Sequence, residues 1–211
     1  MRTARLRTKF LLSLLAISAG LTTATLLIVG YSVQKGVRAS LQEDLLNSVS
    51  TYQSFARQRE RVLTQSAQLL ANLPNVGALM STRDPATIQD GSAGVFLLSG
   101  GDLMLLASPN GAVLAVRSKT AGLETGEAQQ LLRRSLNRGD AQDWWFKAGQ
   151  LYEVRIQPIY LGGTQTMLGF LAIGQVIDQR AAQDLSNIAA SEVAFRYEDS
   201  LVTSTLSGPL A

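Results

Sequence analysis

The stretch Asp102–Val116, DLMLLASPNGAVLAV, decides the fold. Successive side chains on a strand point to opposite faces, so Leu103, Leu105 and Ala107 share one side and Met104 and Leu106 the other. Both sides are apolar, which predicts a central strand covered on both faces. Pro109 pre-sets the first corner of a type I turn, Asn110 tolerates the second, and Gly111 can take positive φ. Ala112–Arg117 then returns antiparallel, so the stretch reads as a buried hairpin.

Working outward, Thr125–Asn137 (TGEAQQLLRRSLN) reads as a surface helix with Thr125 as its cap. Beyond it the sequence predicts strands over Trp144–Lys147, Leu151–Tyr160 and Met167–Ile177, divided by the glycine turns AGQ and LGGTQ. The last run, MLGFLAIGQVI, is 11 residues long, too short to cross a bilayer. Two hairpins with a helix between them make an antiparallel sheet of about five strands with helices outside it, an α+β layer fold. Upstream, Val76–Met80 predicts a short helix. Asp84 can cap another, with Pro85 at its first position, running to about Ser99 and stopping at Gly100–Gly101. Gly91 and Gly94 oppose that second helix by about 1 kcal/mol each.

Lys35–Leu73 has no proline and repeats Leu41, Leu45, Tyr52, Phe55, Val62, Leu69 and Leu73 at steps of three, four and seven. Ser48, Arg59 and Ser66 are weaker positions on the same stripe. This predicts an amphipathic helix of about ten turns, too polar to span a membrane. Its upper half is expected to pack on its own domain. Its lower half is open to pairing with a second copy as a stalk, although the seam is imperfect for a long coiled coil. Pro74 ends it.

Before the stalk, Phe10–Gln34 holds 25 residues without a charge, preceded by Arg2, Arg5, Arg7 and Lys9. That is long enough for a transmembrane helix. The positive-inside rule places the basic end, residues 1–9, in the cytoplasm and everything after Lys35 outside it. A cleaved signal peptide is the rival reading, but the run is long and its end, IVGYSVQKG, offers no small-residue cleavage site. A pilin-type start would carry a glutamate just inside the run, and none is there.

The chain carries 19 Lys+Arg against 16 Asp+Glu. Four of the basic residues precede the anchor, which leaves 15 basic and 16 acidic from Lys35 onward. The pI near 9.4 therefore reports topology and gives no nucleic-acid surface. There is no Cys and no His, which removes disulfides, Cys/His zinc sites, thiol nucleophiles, Ser-His-Asp triads and a phospho-acceptor histidine. A P-loop, a dinucleotide fingerprint, a G-x-S-x-G elbow and an EF-hand loop are also missing. Ser99–Leu103 (SGGDL) resembles part of a cyclase signature but leads straight into the first strand and reads as a turn. Carboxylate-only chemistry stays possible in principle, but no Asp/Glu pair stands out. No catalytic residue, metal site or cofactor is expected.

The anchor, the long helix, the DLMLLASPNGAVLAV hairpin, GQLYEVRIQPIY and GFLAIGQVID together resemble the extracytoplasmic Cache sensory domains. The likeness is to the double-Cache ectodomains of bacterial sensor kinases, cyclases and chemoreceptors, and it covers most of Lys35–Leu206. It rests on the order of elements, without one diagnostic motif. The resemblance implies a PAS-like sheet over residues 74–177, a small-molecule or peptide cue, and a signal passed through the bilayer by helix movement. It also implies that residues 178–211 open a second, membrane-proximal lobe. There Gln179–Ala190 reads as a helix, and EVAFRYEDSLVTSTL as two strands about a turn at Glu198–Asp199–Ser200. Two strands alone are marginal in water, so the expectation is the front piece of a longer receptor in the bacterial inner membrane.

The resemblance puts a ligand on one face of the sheet. Candidates are Arg117, Trp144, Tyr152, Arg155 and Tyr160. Trp144 and Trp145 must face opposite ways. Glu153, Arg155 and Gln157 alternate with Tyr152, Val154 and Ile156. This gives either a solvated face or, with Arg155, a bidentate anchor for a carboxylate. The aromatics are ordinarily core. Three function classes follow: a sensory ectodomain without catalysis, expected to dimerise through the stalk; a membrane-anchored scaffold or assembly protein using that helix; and an anchored extracytoplasmic enzyme.

Overall fold

The computed structural model describes residues 18, 20–23, 25, 49–120, 123–162, 164–189 and 191–206. The chain divides into two compact units, Met1–Ser50 and Thr51–Ala211. In the first, residues 18, 20–23 and 25 are helical. Thr22 and Thr25 Oγ1 donate to the carbonyls of Ser18 and Leu21, each at 2.8 Å, the back-bonding of hydroxyl residues within a helix. The rest of the expected span over 10–34, and the stalk up to residue 48, lie outside the described residues. Among the described residues no helix is long and apolar enough to cross a membrane.

The second unit begins in helix α1, described over 49–71. Leu73 turns to extended geometry (φ −67°, ψ 131°), as the residue before a proline must when helical geometry is crowded out. Helix α2 (Pro74–Ser81) starts on that proline, two residues before the expected Val76. Helix α3 (Pro85–Ser99) keeps its sequence-predicted ends: the Asp84 carboxylate accepts from Thr87 N, and Gly100 closes the helix at φ 63°. Strands β1 (Leu103–Ala107) and β2 (Val113–Ser118) form the hairpin, with Gly111 at φ 77°. After helix α4 (Thr125–Arg138) come β3 (Gln142–Lys147), β4 (Gln150–Tyr160) and β5 (Met167–Val176). Helix α5 (Gln179–Ala189) and the strands β6 (Ala194–Tyr197) and β7 (Ser200–Ser204) follow. The cap of α4 departs from expectation. Glu124 occupies that position without a side-chain bond, and Thr125 is already helical.

Five strands form one antiparallel sheet in the order β2-β1-β5-β4-β3, and β6-β7 form a separate two-stranded sheet. Every residue of β1 is buried. Met104 and Leu106 join Leu63, Leu70, Met80, Ile88 and Ile173 in a core under α1, α2 and α3. Leu103, Leu105 and Ala107 join Leu132, Trp145, Val154 and Ala172 in a second core under α4. The double apolar pattern of the opening stretch thus reports helices on both faces. Gly169, at φ 153°, lets β5 close on β1, since a Cβ there would lie 2.0 Å from the Ala107 carbonyl oxygen.

The stripe expected on α1 is corrected by one residue. Leu63, Ala67 and Leu70 are buried, whereas Val62 and Leu69 are 48% and 71% exposed. One residue is 100° of helix. The heptad positions and the core-facing positions are therefore different rows of α1, and spacing alone could not choose between them.

Candidate functional site

The site is built on β4. Its Tyr152, Val154 and Ile156 pack beneath α4, while Glu153 and Arg155 point to the opposite face. That face is covered by α1. Glu153 is only 3% exposed, and Arg155 and Gln157 are half-buried. The solvated-face reading of this row is therefore corrected: a helix distant in sequence lies over it.

Four charges meet there. Arg59 Nε stands 3.6 Å from Glu153 Oε2, and Arg155 Nη1 stands 3.8 Å from Glu60 Oε1. Gln142 on β3 ties the acid to the base of β4: its Nε2 donates to Glu153 Oε1 and its Oε1 accepts from Arg155 Nη1, both at 3.3 Å. Arg59 Nη2 also donates to the Val176 carbonyl at 3.3 Å, and its guanidinium lies 5.9 Å from the centre of the Phe55 ring. One side chain thus joins α1 to β4 and to the end of β5, immediately before α5. The cluster is not fully satisfied, since the Nε atoms of Arg59 and Arg155 are buried without hydrogen-bond partners. Burial raises the pKa of Glu153 above the ordinary carboxylate value, and the attraction of Arg59 offsets only part of that rise.

Beside the cluster a concavity of about 400 Å³ opens between α1 and α5. Phe55, Val62 and Ile188 give it apolar walls, and Arg59, Gln175 and Asp184 supply polar atoms. A mostly apolar hollow with a few fixed polar groups suits a small organic ligand. No group of three or more acidic side chains that could hold a metal ion occurs among the described residues.

The five residues singled out from the sequence do not converge. Arg155 lies in the charge cluster. Arg117 is on the same face of the sheet but is docked on α3, with Nε donating to Ser92 Oγ at 2.9 Å and Nη2 donating to the Gln89 carbonyl. Strands β1 and β5 separate the two arginines, a distance of about 14 Å at sheet spacing. Tyr152 belongs to the α4 face, where its hydroxyl meets Thr120 Oγ1 at 2.7 Å and donates to Gln150. Trp144, opposite Glu153 in the middle of β3, is 38% exposed, and Tyr160, at the end of β4 beyond the β3 pairing, is 46% exposed. Trp145, the neighbour of Trp144, is fully buried, and its indole N–H donates to Ser135 Oγ at 3.0 Å. The sequence reading missed Arg59, Glu60, Gln142 and Glu153 as members of a site. The available signal was Arg59, the one charged side chain on a mostly apolar row.

Among solved structures, the periplasmic domain of Vibrio cholerae LuxQ superposes with a TM-score of 0.60 at 18% identity, covering 78% of this chain and 80% of that one. The ligand-binding domain of the Campylobacter jejuni chemoreceptor Tlp3, solved with 4-methylisoleucine, gives 0.47 at 16% identity, covering 77% and 66%. No curated protein matches the chain. The family model dCache_3, a double sensory domain of two-component sensor kinases, matches residues 38–210. With that match over most of its length, and with the sheet and flanking helices described above, the chain belongs to the double-Cache sensory domains.

Proposed function

We propose that this sensory domain stands outside the cytoplasm on its N-terminal membrane helix, takes a small-molecule cue in the hollow between α1 and α5, and signals by moving α1 against β4. The observation that carries the reading is the reach of Arg59. It lines the hollow, faces Glu153 and holds the Val176 carbonyl. A ligand that draws on Arg59 competes with both contacts, so occupancy and helix position are linked through differential interaction. The low-lying charge pairs can exchange partners without unfolding a core. The reading assigns the hollow ligand binding and no catalytic step.

The full chain should be screened by thermal shift against the common amino acids and short organic acids. A binder at 100 times its dissociation constant is expected to add about 2.7 kcal/mol. Ile188→Trp, which fills the hollow, is expected to abolish that gain. A panel without any stabilising compound, or a binder indifferent to Ile188→Trp, defeats the reading. Fusions joined after Leu206 test topology: a phosphatase should be active and a cytosolic reporter silent. The exposed Tyr52 and Leu69, which do not line the hollow, favour pairing with a second copy along α1. Leu69→Glu is then expected to turn a dimer into a monomer in light scattering.

A further inference from the structure

The opposite end of the sheet carries a second hollow, unrelated to Arg59. It lies where β5 begins, about 30 Å along that strand from Val176. Its volume is about 350 Å³, between the end of α2, the β1–β2 turn and Met167–Leu168. Met80, Leu114, Met167 and Leu168 supply the apolar walls. Methionine packs around irregular shapes because its chain is unbranched and polarizable. Gly169 keeps the floor in place, since a Cβ there would fall 2.7 Å from Met80 Cε.

The polar lining is already divided. Ser108 and Asn110 are used by the turn: Ser108 Oγ donates to Asn110 Oδ1, and both side chains accept from Ala112 N, at 3.0 and 3.3 Å. Arg83 remains. Its side chain has no ion pair or hydrogen bond among the described residues. The adjacent Asp84 makes no ion pair with it; that carboxylate is turned to Thr87, accepting from its N at 2.9 Å and its Oγ1 at 2.6 Å. Arg83 is also in the left-handed region, at φ 55°, just after the end of α2. Glycine is the usual residue at that position, because a Cβ is strained there. A strained arginine with a free guanidinium at the rim of an apolar hollow is a reason to look for an anionic ligand.

We propose that this hollow binds a small monocarboxylate, its apolar body among Met80, Leu114, Met167 and Leu168 and its carboxylate on the Arg83 guanidinium. The volume is near the lower end for small-molecule sites, which favours a short chain. The planar guanidinium matches a carboxylate with two parallel hydrogen bonds.

The probe is sodium hexanoate, titrated calorimetrically into the full chain, with hexylamine and hexanol as controls. Hexanoate is expected to saturate one site and to shift the methyl resonances of Met80 and Met167, leaving Met104 unmoved. Hexylamine should not bind, and hexanol should bind at least tenfold more weakly. The decisive variant is Arg83→Gly, which relieves the backbone and is expected to raise the melting midpoint while weakening hexanoate at least tenfold. Arg83→Lys should fall between the two. Unchanged affinity in Arg83→Gly, equal binding of hexylamine, or shifts at Met104 alone would overturn the proposal. Ile188→Trp, which blocks the α1–α5 hollow, should leave hexanoate binding intact, so the two sites succeed or fail separately.

Discussion

The two faces of β4 are chemically opposite although the helices over them bury both. Beneath α4 the sheet presents Tyr152, Val154, Ile156 and Trp145, and its polar atoms form one satisfied thread. Trp145 donates to Ser135 at 3.0 Å, Ser135 to Asp143 at 2.6 Å, and Arg138 pairs with the same carboxylate at 2.6 Å. Beneath α1 the same strand presents Glu153 and Arg155; the Nε atoms of Arg155 and of Arg59 on α1 make no hydrogen bond, that of Arg59 standing 3.6 Å from Glu153 Oε2. The first arrangement fixes one geometry, because the side chains of that thread are matched to one another. The second leaves donors that an alternative position of α1, or a ligand, can satisfy. Burial therefore does not distinguish the two faces; satisfaction of the buried polar atoms does.

The contrast can be broken most severely on the α4 side. Trp145→Ala removes a fully buried indole and is expected to cost about 3–5 kcal/mol in denaturant unfolding. On the α1 side, Arg59→Ala leaves Glu153 buried without its cation and is expected to cost about 2–3 kcal/mol. The double variant Arg59→Met, Glu153→Gln should recover most of that loss, because removing both charges also removes their desolvation cost. If the double variant is as unstable as Arg59→Ala, the loss does not come from an uncompensated buried charge.

Acid titration sharpens the difference, since the two carboxyl groups shift in opposite directions. Burial raises Glu153, so the native state takes up its proton before the unfolded chain does. Its contribution is fully present below the ordinary carboxylate range and lost as the pH rises through the raised value. For Asp143 burial also pushes upward, but Ser135, the Trp144 N–H and Arg138 outweigh it and hold the group low. That contribution is present at neutral pH and lost in acid. Asp143→Asn should therefore flatten the acid loss of stability and Glu153→Gln should steepen it, as read from unfolding midpoints between neutral and acid pH. The smallest effect is expected at Thr125→Ala, within about 0.5 kcal/mol, since Thr125 makes no cap bond. Asp84→Ala, which removes a cap bond that is made, should lower the midpoint measurably in the same assay.

Much of the fold was legible because its signals are local. The double apolar alternation of Leu103–Ala107, the turn chemistry of Pro109–Asn110–Gly111 and the Asp84–Pro85 start each act within a few residues. The site was less legible. Arg59 and Glu153 are 94 positions apart in the sequence and meet only because α1 crosses the β4–β5 pair. Alternation in β4 correctly assigned Glu153 and Arg155 to one face. It could not say that this face would be covered, because a half-polar row looks the same under water or under a charged helix.

The sequence by itself determined the strands, the hairpin and the helices with strong end signals, since steric and capping preferences are properties of short segments. It also carried the order of elements by which the family resemblance was read. The tertiary structure alone decided which row of α1 faces the core, a choice of 100° that either periodic row would satisfy. It likewise decided which charges are removed from water, because desolvation depends on what packs above a residue.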